Sequence, residues 1–218
     1  MTRNEIIELV KAKLDEVHPL QAGQTIVNPQ IEQQIDGVAV SLVEFLPSVL
    51  AFPVSASDTP ALLNYVPGMS IDVQCPADFV RLHRLRFAHW MRPVVGLSPD
   101  GTKLLYQQDY DYLKSTVRRP SAALYTKDNT DFITCYPGPR PADDPDCLTD
   151  YPNPGDALVE FVYVQRPAAA EDLHDDLIEM LAWKVAADIY LIHGQADAST
   201  MCSQRLSSLV DAKLKYRS

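Results

Sequence analysis

The sequence predicts an α+β fold in which N- and C-terminal helices form a bundle beside a small antiparallel, barrel-like β region. Three observations predict it. Apolar residues recur at three- and four-residue spacing towards both ends, the middle of the chain switches to strict alternation, and proline-rich stretches punctuate the change of period. The expected organisation is 1–68 for the first helices and a connector, 69–168 for the β region with a long loop, and 169–218 for the last helices, all within one compact unit. At 218 residues the chain lies below the roughly 250 residues at which a single core stops growing efficiently.

The first helix starts at a capping box, Thr2 with Glu5 three residues on, in which hydroxyl and carboxylate satisfy each other's free backbone donors. Ile6, Leu9, Val10, Leu14 and Val17 then mark one face until Pro19 forbids continuation. Asn28-Pro29 starts a second helix, since Asn caps well and Pro at the first helical position lacks only a donor that has no partner there. Its stripe is Ile31, Ile35, Val38, Leu42 and Phe45. Pro47, Pro53, Pro60 and Pro67 break the chain beyond Phe45 into a connecting segment with a short helical turn near Pro60 to Tyr65.

From Met69 the period is two: Met69, Ile71 and Val73 share a face, and Phe79 to Trp90 alternates with one slip between Leu82 and Leu85 that predicts a bulge. Ala122–Tyr125 and Phe132–Tyr136 flank the turn residues Lys127-Asp128-Asn129-Thr130, which is a hairpin pattern. Ala157 to Val164 is rich in β-branched and aromatic residues and reads as the strongest strand. Between them, Pro137 to Gly155 holds six prolines and four aspartates and reads as an irregular surface loop. Helical spacing returns with Leu173, Leu177, Met180, Leu181, Val185, Ile189 and Leu191, ending at Gly194 as a C-terminal cap. A last helix is expected over Ala198 to Lys215, with Leu206, Leu209, Val210 and Leu214 as its stripe.

Charge and motifs narrow the function classes. The net charge of −10 disfavours gripping a phosphate backbone; it suits plain solubility, or the wall of a conduit for a polyanion. The N-terminal stretch lacks the apolar core of a secretion signal, and no apolar run reaches the ~20 residues of a membrane span. Cys75, Cys135, Cys147 and Cys202 have no paired spacing and read as ordinary reduced thiols, with no metal and no cofactor implied. His174-Asp175-Asp176 has the residue types of a metal-dependent hydrolase, and Asp143-Asp144-Pro145-Asp146 those of a calcium loop. The first lacks a second ligand at helical spacing and the second lacks an EF-hand's alternation. No strained nucleophile turn and no phosphate-cradling glycine motif occurs, so no catalytic residue is expected and the chain is read as not an enzyme. Arg81, Arg84 and Arg86, with Trp90 nearby, form a basic and aromatic stretch that suits pairing with an acidic neighbour better than single-stranded nucleic acid.

Several short motifs then occur in order: Cys75-Pro76-Ala77-Asp78-Phe79-Val80-Arg81-Leu82, Trp90-Met91-Arg92-Pro93-Val94, Tyr106-Gln107-Gln108, Arg119-Pro120-Ser121-Ala122-Ala123-Leu124 and Tyr136-Pro137. This order resembles the ring or tail-adaptor proteins of crAss-like bacteriophages. In its helix-sheet-helix plan the chain is more distantly similar to tail tubular protein A and the portal adaptors of other short-tailed phages. The resemblance implies a structural virion protein that forms a closed ring, of twelve copies, between portal and tail. It would be assembled in the host cytoplasm, with portal, ring and tail proteins as partners and DNA only as cargo through the lumen. It implies no catalytic residues. A ring subunit needs a broad head-to-tail surface, and the candidates for it are Arg81, Arg84, Arg86, Trp90, Arg92, Tyr106, Tyr110, Tyr112, Tyr136 and Tyr151. A metal-dependent hydrolase centred on His174 and Asp175, or a soluble phage regulatory protein that binds a host partner, are the alternatives.

Overall fold

The computed structural model describes residues 1–17, 28–56, 60–98, 101–140 and 157–217. In chain order its elements are α1 (Arg3–Val17), α2 (Asn28–Phe45), β1 (Val54–Ser55), β2 (Leu62–Val66), β3 (Ser70–Gln74), β4 (Phe79–Phe87), α3 (Gly101–Gln108), β5 (Ser121–Lys127), β6 (Thr130–Tyr136), β7 (Leu158–Gln165), a 3-10 turn (Ala170–Asp172), α4 (Asp175–Ile192) and α5 (Ala196–Arg217). The fold is α+β. It divides into two compact units, Met1–Phe52 with Arg166–Ser218, and Pro53–Gln165. The first boundary therefore falls at Pro53 rather than at 68, because β1 and β2 pair within the β unit.

The helical unit is organised around α4, which packs against α1, α2 and α5. Eleven of its eighteen residues are buried, among them Leu177, Met180, Leu181, Trp183, Val185 and Tyr190. A helix apolar on nearly every side requires cover on every side, and three helices supply it. The capping box forms as expected: Thr2 N–H donates to Glu5 Oε2 at 2.8 Å and Glu5 N–H to Thr2 Oγ1 at 3.4 Å. α4 ends at Ile192 and is closed by Gly194, whose φ of +72° is the left-handed conformation that glycine adopts without strain, with Gln195 N–H donating to Tyr190 O at 2.9 Å. Two expected stripe residues turn outward instead. Phe45 and Leu191 are exposed while their chain neighbours Leu46 and Tyr190 are buried, so the packed face of each helix end passes through the adjacent residue instead. α5 starts two residues earlier than expected and buries Ala198, Cys202, Leu206 and Val210, while Leu209 and Leu214 are half-buried.

Polar contacts tie these helices together. The Tyr190 hydroxyl donates to the Leu14 carbonyl, and the Lys13 ammonium sits 4.8 Å above the Trp183 ring. Arg3 grips Asp36 with two nitrogens, each at 3.0 Å, and reaches Glu171 at 3.4 Å. Asp36 also accepts from Ala170 N–H at 3.0 Å; the Arg3 guanidinium, more than that backbone donor, holds its carboxyl below the ordinary carboxylate value. Lys213 donates to the Asp176 carbonyl at 2.7 Å, fastening the end of α5 to the start of α4.

The β unit is a two-layer sandwich of antiparallel sheets, ordered β1-β7-β4 and β2-β3-β6-β5. Leu82, Leu85, Phe87, Phe161 and Tyr163 from the first sheet meet Ile71, Val73, Ala122, Ile133 and Cys135 from the second in one core. A register shift falls where the phase slip predicts it, between Leu82 and Arg84, and the β4–β7 pairing shifts again between Phe79 and Arg81 and between Arg86 and Phe87, so Phe79, Leu82, Leu85 and Phe87 are all buried despite their uneven spacing. β4 ends at Phe87, short of the expected Trp90. In the β5–β6 hairpin, Asp128 and Asn129 both take positive φ, 50° and 59°, the backbone of a type I′ turn that matches strand twist.

Residues 62–66, expected as part of a connector with a helical turn, form strand β2 instead. The pairing of Leu62 with Val73 and Leu63 with Asp72 decides this, and a lone local pattern does not contain it. Of the Pro137–Gly155 loop, only the first residues are described; they run without regular structure, with Gly138 set so close to Ser70 that a Cβ would lie 2.8 Å from its carbonyl group.

Candidate interaction surface

The sequence candidates separate into three groups. Arg81, Arg84 and Arg86 lie half-buried on β4, facing away from the core residues Leu82 and Leu85. Arg84 Nε lies 3.0 Å from Glu160 Oε2 on the neighbouring strand β7, and burial pulls the Arg81 guanidinium below its ordinary pKa. This row is partly committed to its own sheet.

Trp90 is not a surface residue at all. It is 1% exposed, donates from Nε1 to the Pro137 carbonyl at 2.9 Å and stands edge-on to Phe87 at 5.0 Å. The same carbonyl lies 3.1 Å from His89 Nε2, which must be the donor there, and the His89 Nδ1 is buried with no hydrogen-bond partner. Burial, partly opposed by the Pro137 contact, lowers the His89 pKa from its ordinary value.

Tyr136 is half-buried on the outer face of the four-stranded sheet, beside a polar cluster that sequence reasoning did not find. Asp72 of β3 is 6% exposed, and no other polar or charged residue is buried among the described residues. Its carboxylate accepts from Asn64 Nδ2 at 2.7 Å, Tyr125 Oη at 2.6 Å and Thr134 Oγ1 at 2.6 Å. These donors come from β2, β5 and β6, so one carboxylate joins all four strands of its sheet. Burial first, then the hydrogen bond to Asp72, pushes the Tyr125 phenol up to about 12. Asn64 reaches the cluster from a left-handed backbone at φ 47°, in the interval where the β2–β3 register shifts. The cluster is saturated by its own donors and has a structural role.

The third group is exposed and lies together in an arm formed by residues 91–95 and 101–119. Tyr106 on α3, and Tyr110 and Tyr112 after it, are 64%, 52% and 81% exposed. Met91 is 62% exposed, and its N–H donates to the Val117 carbonyl at 2.8 Å, which joins the two segments. Arg92 comes directly after Met91 on one side of that bond; Arg118 and Arg119 come after Val117 on the other, in a turn closed by Arg119 N–H on the Thr116 carbonyl at 2.9 Å. Arg92, Arg118 and Arg119 are exposed, and no carboxylate of the described residues pairs with them. Gln108 holds the arm in shape, donating to Ser115 Oγ at 3.2 Å and accepting from Ser115 N–H at 3.0 Å, while Ser115 in turn meets Ser121 of β5. Helix α3 was not foreseen: it buries a single side chain, Leu104, too little to print a periodicity. Arg118 and Arg119 were missed for a related reason, since the long-range Met91–Val117 bond is what joins their segment to that of Arg92. Tyr151 lies outside the described residues, as does the Asp143–Asp146 calcium reading.

Elsewhere the structure assigns other work to residues with chemical potential. His174 caps α4, its Nδ1 accepting from Asp176 N–H at 3.2 Å, and its ring stacks on Phe52 at 3.6 Å. Cys75, Cys135 and Cys202 are buried free thiols; burial raises Cys75 to about 12, Cys202 to about 11 and Cys135 well above the ordinary value. Cys147 lies outside the described residues. Among the described residues no cluster of three or more His, Cys, Asp and Glu could hold a metal ion, and no helix is long and apolar enough to cross a membrane. Compared with known proteins, the chain matches no protein-family model and no curated sequence.

Proposed function

We propose that the chain is a structural subunit of a short-tailed bacteriophage virion, one copy of a closed ring between portal and tail. The observation that carries the reading is the preshaped, exposed arm. Tyrosine, methionine and arginine are the residues enriched in protein interfaces, and large exposed apolar patches on a folded chain mark places where another protein sits. The order of motifs shared with ring and tail-adaptor proteins adds support, since three of those motifs, at Trp90–Val94, Tyr106–Gln108 and Arg119–Leu124, contribute to or border the arm. The α+β plan agrees with the same resemblance.

On this reading the protein works by binding, without a catalytic step. Twelve copies would enclose the lumen, portal and neighbouring tail proteins would contact its faces, and a net charge of −10 would repel DNA passing through. Mass spectrometry of purified virions, with reconstruction of the head-tail junction, tests this. The chain should be present in multiple copies in a ring. Its absence from the particle would favour a soluble regulatory factor and end the proposal.

A further inference from the structure

We infer that the outer face of β4, at Arg84 and Arg86, is a docking site for an acidic segment of a partner polypeptide, whose carboxylates pair with the two guanidinium groups. The inference goes beyond the ring reading and stands or falls independently of it.

Register sets the charges of this face. β4 is an edge strand of the β1-β7-β4 sheet, and its outward residues Arg81, Arg84 and Arg86 lie opposite Val164, Val162 and Glu160 of β7. Three cations thus face two valines and one carboxylate. Glu160 lies across from Arg86 but approaches Arg84, with its Oε2 3.0 Å from the Arg84 Nε. That contact is an ion pair without a hydrogen bond, since the Nε atoms of both Arg84 and Arg86 are buried and have no hydrogen-bond partner. Among the described residues no carboxylate pairs with Arg86.

A guanidinium that loses water without gaining an acceptor costs free energy. Both heads are half-buried with Nε sealed from solvent, so compensation has to come from outside the sheet, at the outer Nη nitrogens. An oxyanion is the group that meets a planar guanidinium with two parallel hydrogen bonds. Of the macromolecular oxyanions, the face favours a carboxylate over the phosphates of a nucleic acid. The rings that follow in the sequence, Phe87 and Trp90, are buried in the core and offer bases no stacking platform. Half-buried Val162, opposite Arg84, instead gives apolar cover to the stem of a polypeptide side chain. Glu160 within the row and a net charge of −10 further oppose the continuous charge of a phosphate backbone.

An NMR titration tests the site. The arginine Nε–H signals of the full chain are followed while an oligoglutamate peptide, or an oligothymidylate of equal charge, is added at constant ionic strength. Oligoglutamate should move the Arg84 and Arg86 signals to saturation. R86Q should weaken that binding about tenfold, through the loss of a charged hydrogen-bonding group. E160Q, which removes the competing carboxylate, should strengthen it about threefold. R205Q, an equal change of charge at an exposed position on α5, should leave it unaltered. Far-UV circular dichroism checks that each variant folds; if R86Q unfolds, the Arg84 and Arg86 shifts and E160Q decide the matter. The absence of a saturable shift, an equal loss in R205Q, or tighter binding of oligothymidylate overturns the inference. So does a shift of the Arg86 signal, without any peptide, in a chain carrying D143N, D144N and D146N, because the chain's own acidic stretch would then fill the site.

Discussion

The helical unit and the β unit are stabilised in opposite ways. In the helical unit the interior is almost purely apolar, with α4 wrapped on three sides, and the charged contacts around it, such as Arg3 with Asp36, stand at least partly in water. In the β unit a comparable apolar core lies between two sheets, but one of those sheets is also fastened on its outer face by the buried Asp72 carboxylate and its three neutral donors. Exposed ion pairs contribute little, with a typical value of ~0–1 kcal/mol, so removing one alters a helical bundle only slightly. Removing a buried carboxylate leaves three donors without an acceptor, and each such group costs about 1–3 kcal/mol if it finds no water. The helical unit therefore depends on volume, and the β unit depends on volume and on one polar centre.

The two tryptophans make the comparison measurable, because Trp183 sits in α4 and Trp90 in the β core. The largest effect is expected for Trp183→Ala, which should cost about 4 kcal/mol through the cavity it leaves. Urea unfolding monitored by circular dichroism at helix wavelengths should move to lower denaturant. The fluorescence of the remaining Trp90 should keep its midpoint. If both signals shift together, the units share one cooperative transition and the contrast between them dissolves.

Asp72→Ala should act in the reverse sense. A loss of about 3 kcal/mol is expected, seen as an earlier Trp90 transition in a Trp183→Phe background while the helical signal stays in place. Asp72→Asn, which can still accept on one oxygen, should recover part of the loss. A neutral result for Asp72→Ala would show that water satisfies Asn64, Tyr125 and Thr134, and that the cluster holds nothing.

Acid sharpens the contrast further, with a smaller effect. His89 has a folded-state pKa below its ordinary value because burial opposes its charge, so the unfolded chain takes up the proton first. The stability associated with neutral His89 is complete above the unfolded value, about 6.5, and is lost as pH falls from there through the folded pKa. Asp36, lowered mainly by Arg3, contributes stability that is present above the unfolded value of 3.8 and disappears as pH falls through the folded one. Descending from about pH 7.5, the Trp90 midpoint should decline first, and the helical midpoint should respond to Asp36 only below about pH 4. In His89→Gln the early decline of the β unit should vanish; an unchanged slope would assign it to another group.

The same contrast explains what could be read from the chain. Elements defined by local signals were legible: the Thr2–Glu5 box, the Asn28-Pro29 start, the Gly194 cap, the Asp128-Asn129 turn and the phase slip before Leu85 all act within a few residues. β2 was not legible, because the residues 62–66 are mostly outward-facing and become a strand only through β3. Asp72 stands between Ile71 and Val73, on the face opposite theirs, and nothing near it announces Tyr125 and Thr134, 53 and 62 residues away, as its partners. Among the surface candidates, aromatic identity alone could not separate Trp90, a core residue, from Tyr112, which is nearly bare. The two segments of the arm are joined by a long-range backbone bond from Met91 to Val117, and pairings of that kind leave no trace in composition.

The ring reading turns on whether the arm meets a partner in the assembled particle. Hydroxyl-radical footprinting of the free chain and of purified virions measures it, with Tyr106, Tyr110 and Tyr112 as reporters and Tyr125 of the Asp72 cluster as the internal control. Strong protection of the three arm tyrosines in the virion, with Tyr125 unchanged, is the predicted result. Equal oxidation of the arm in both samples, or no trace of the chain in the particle, would contradict it.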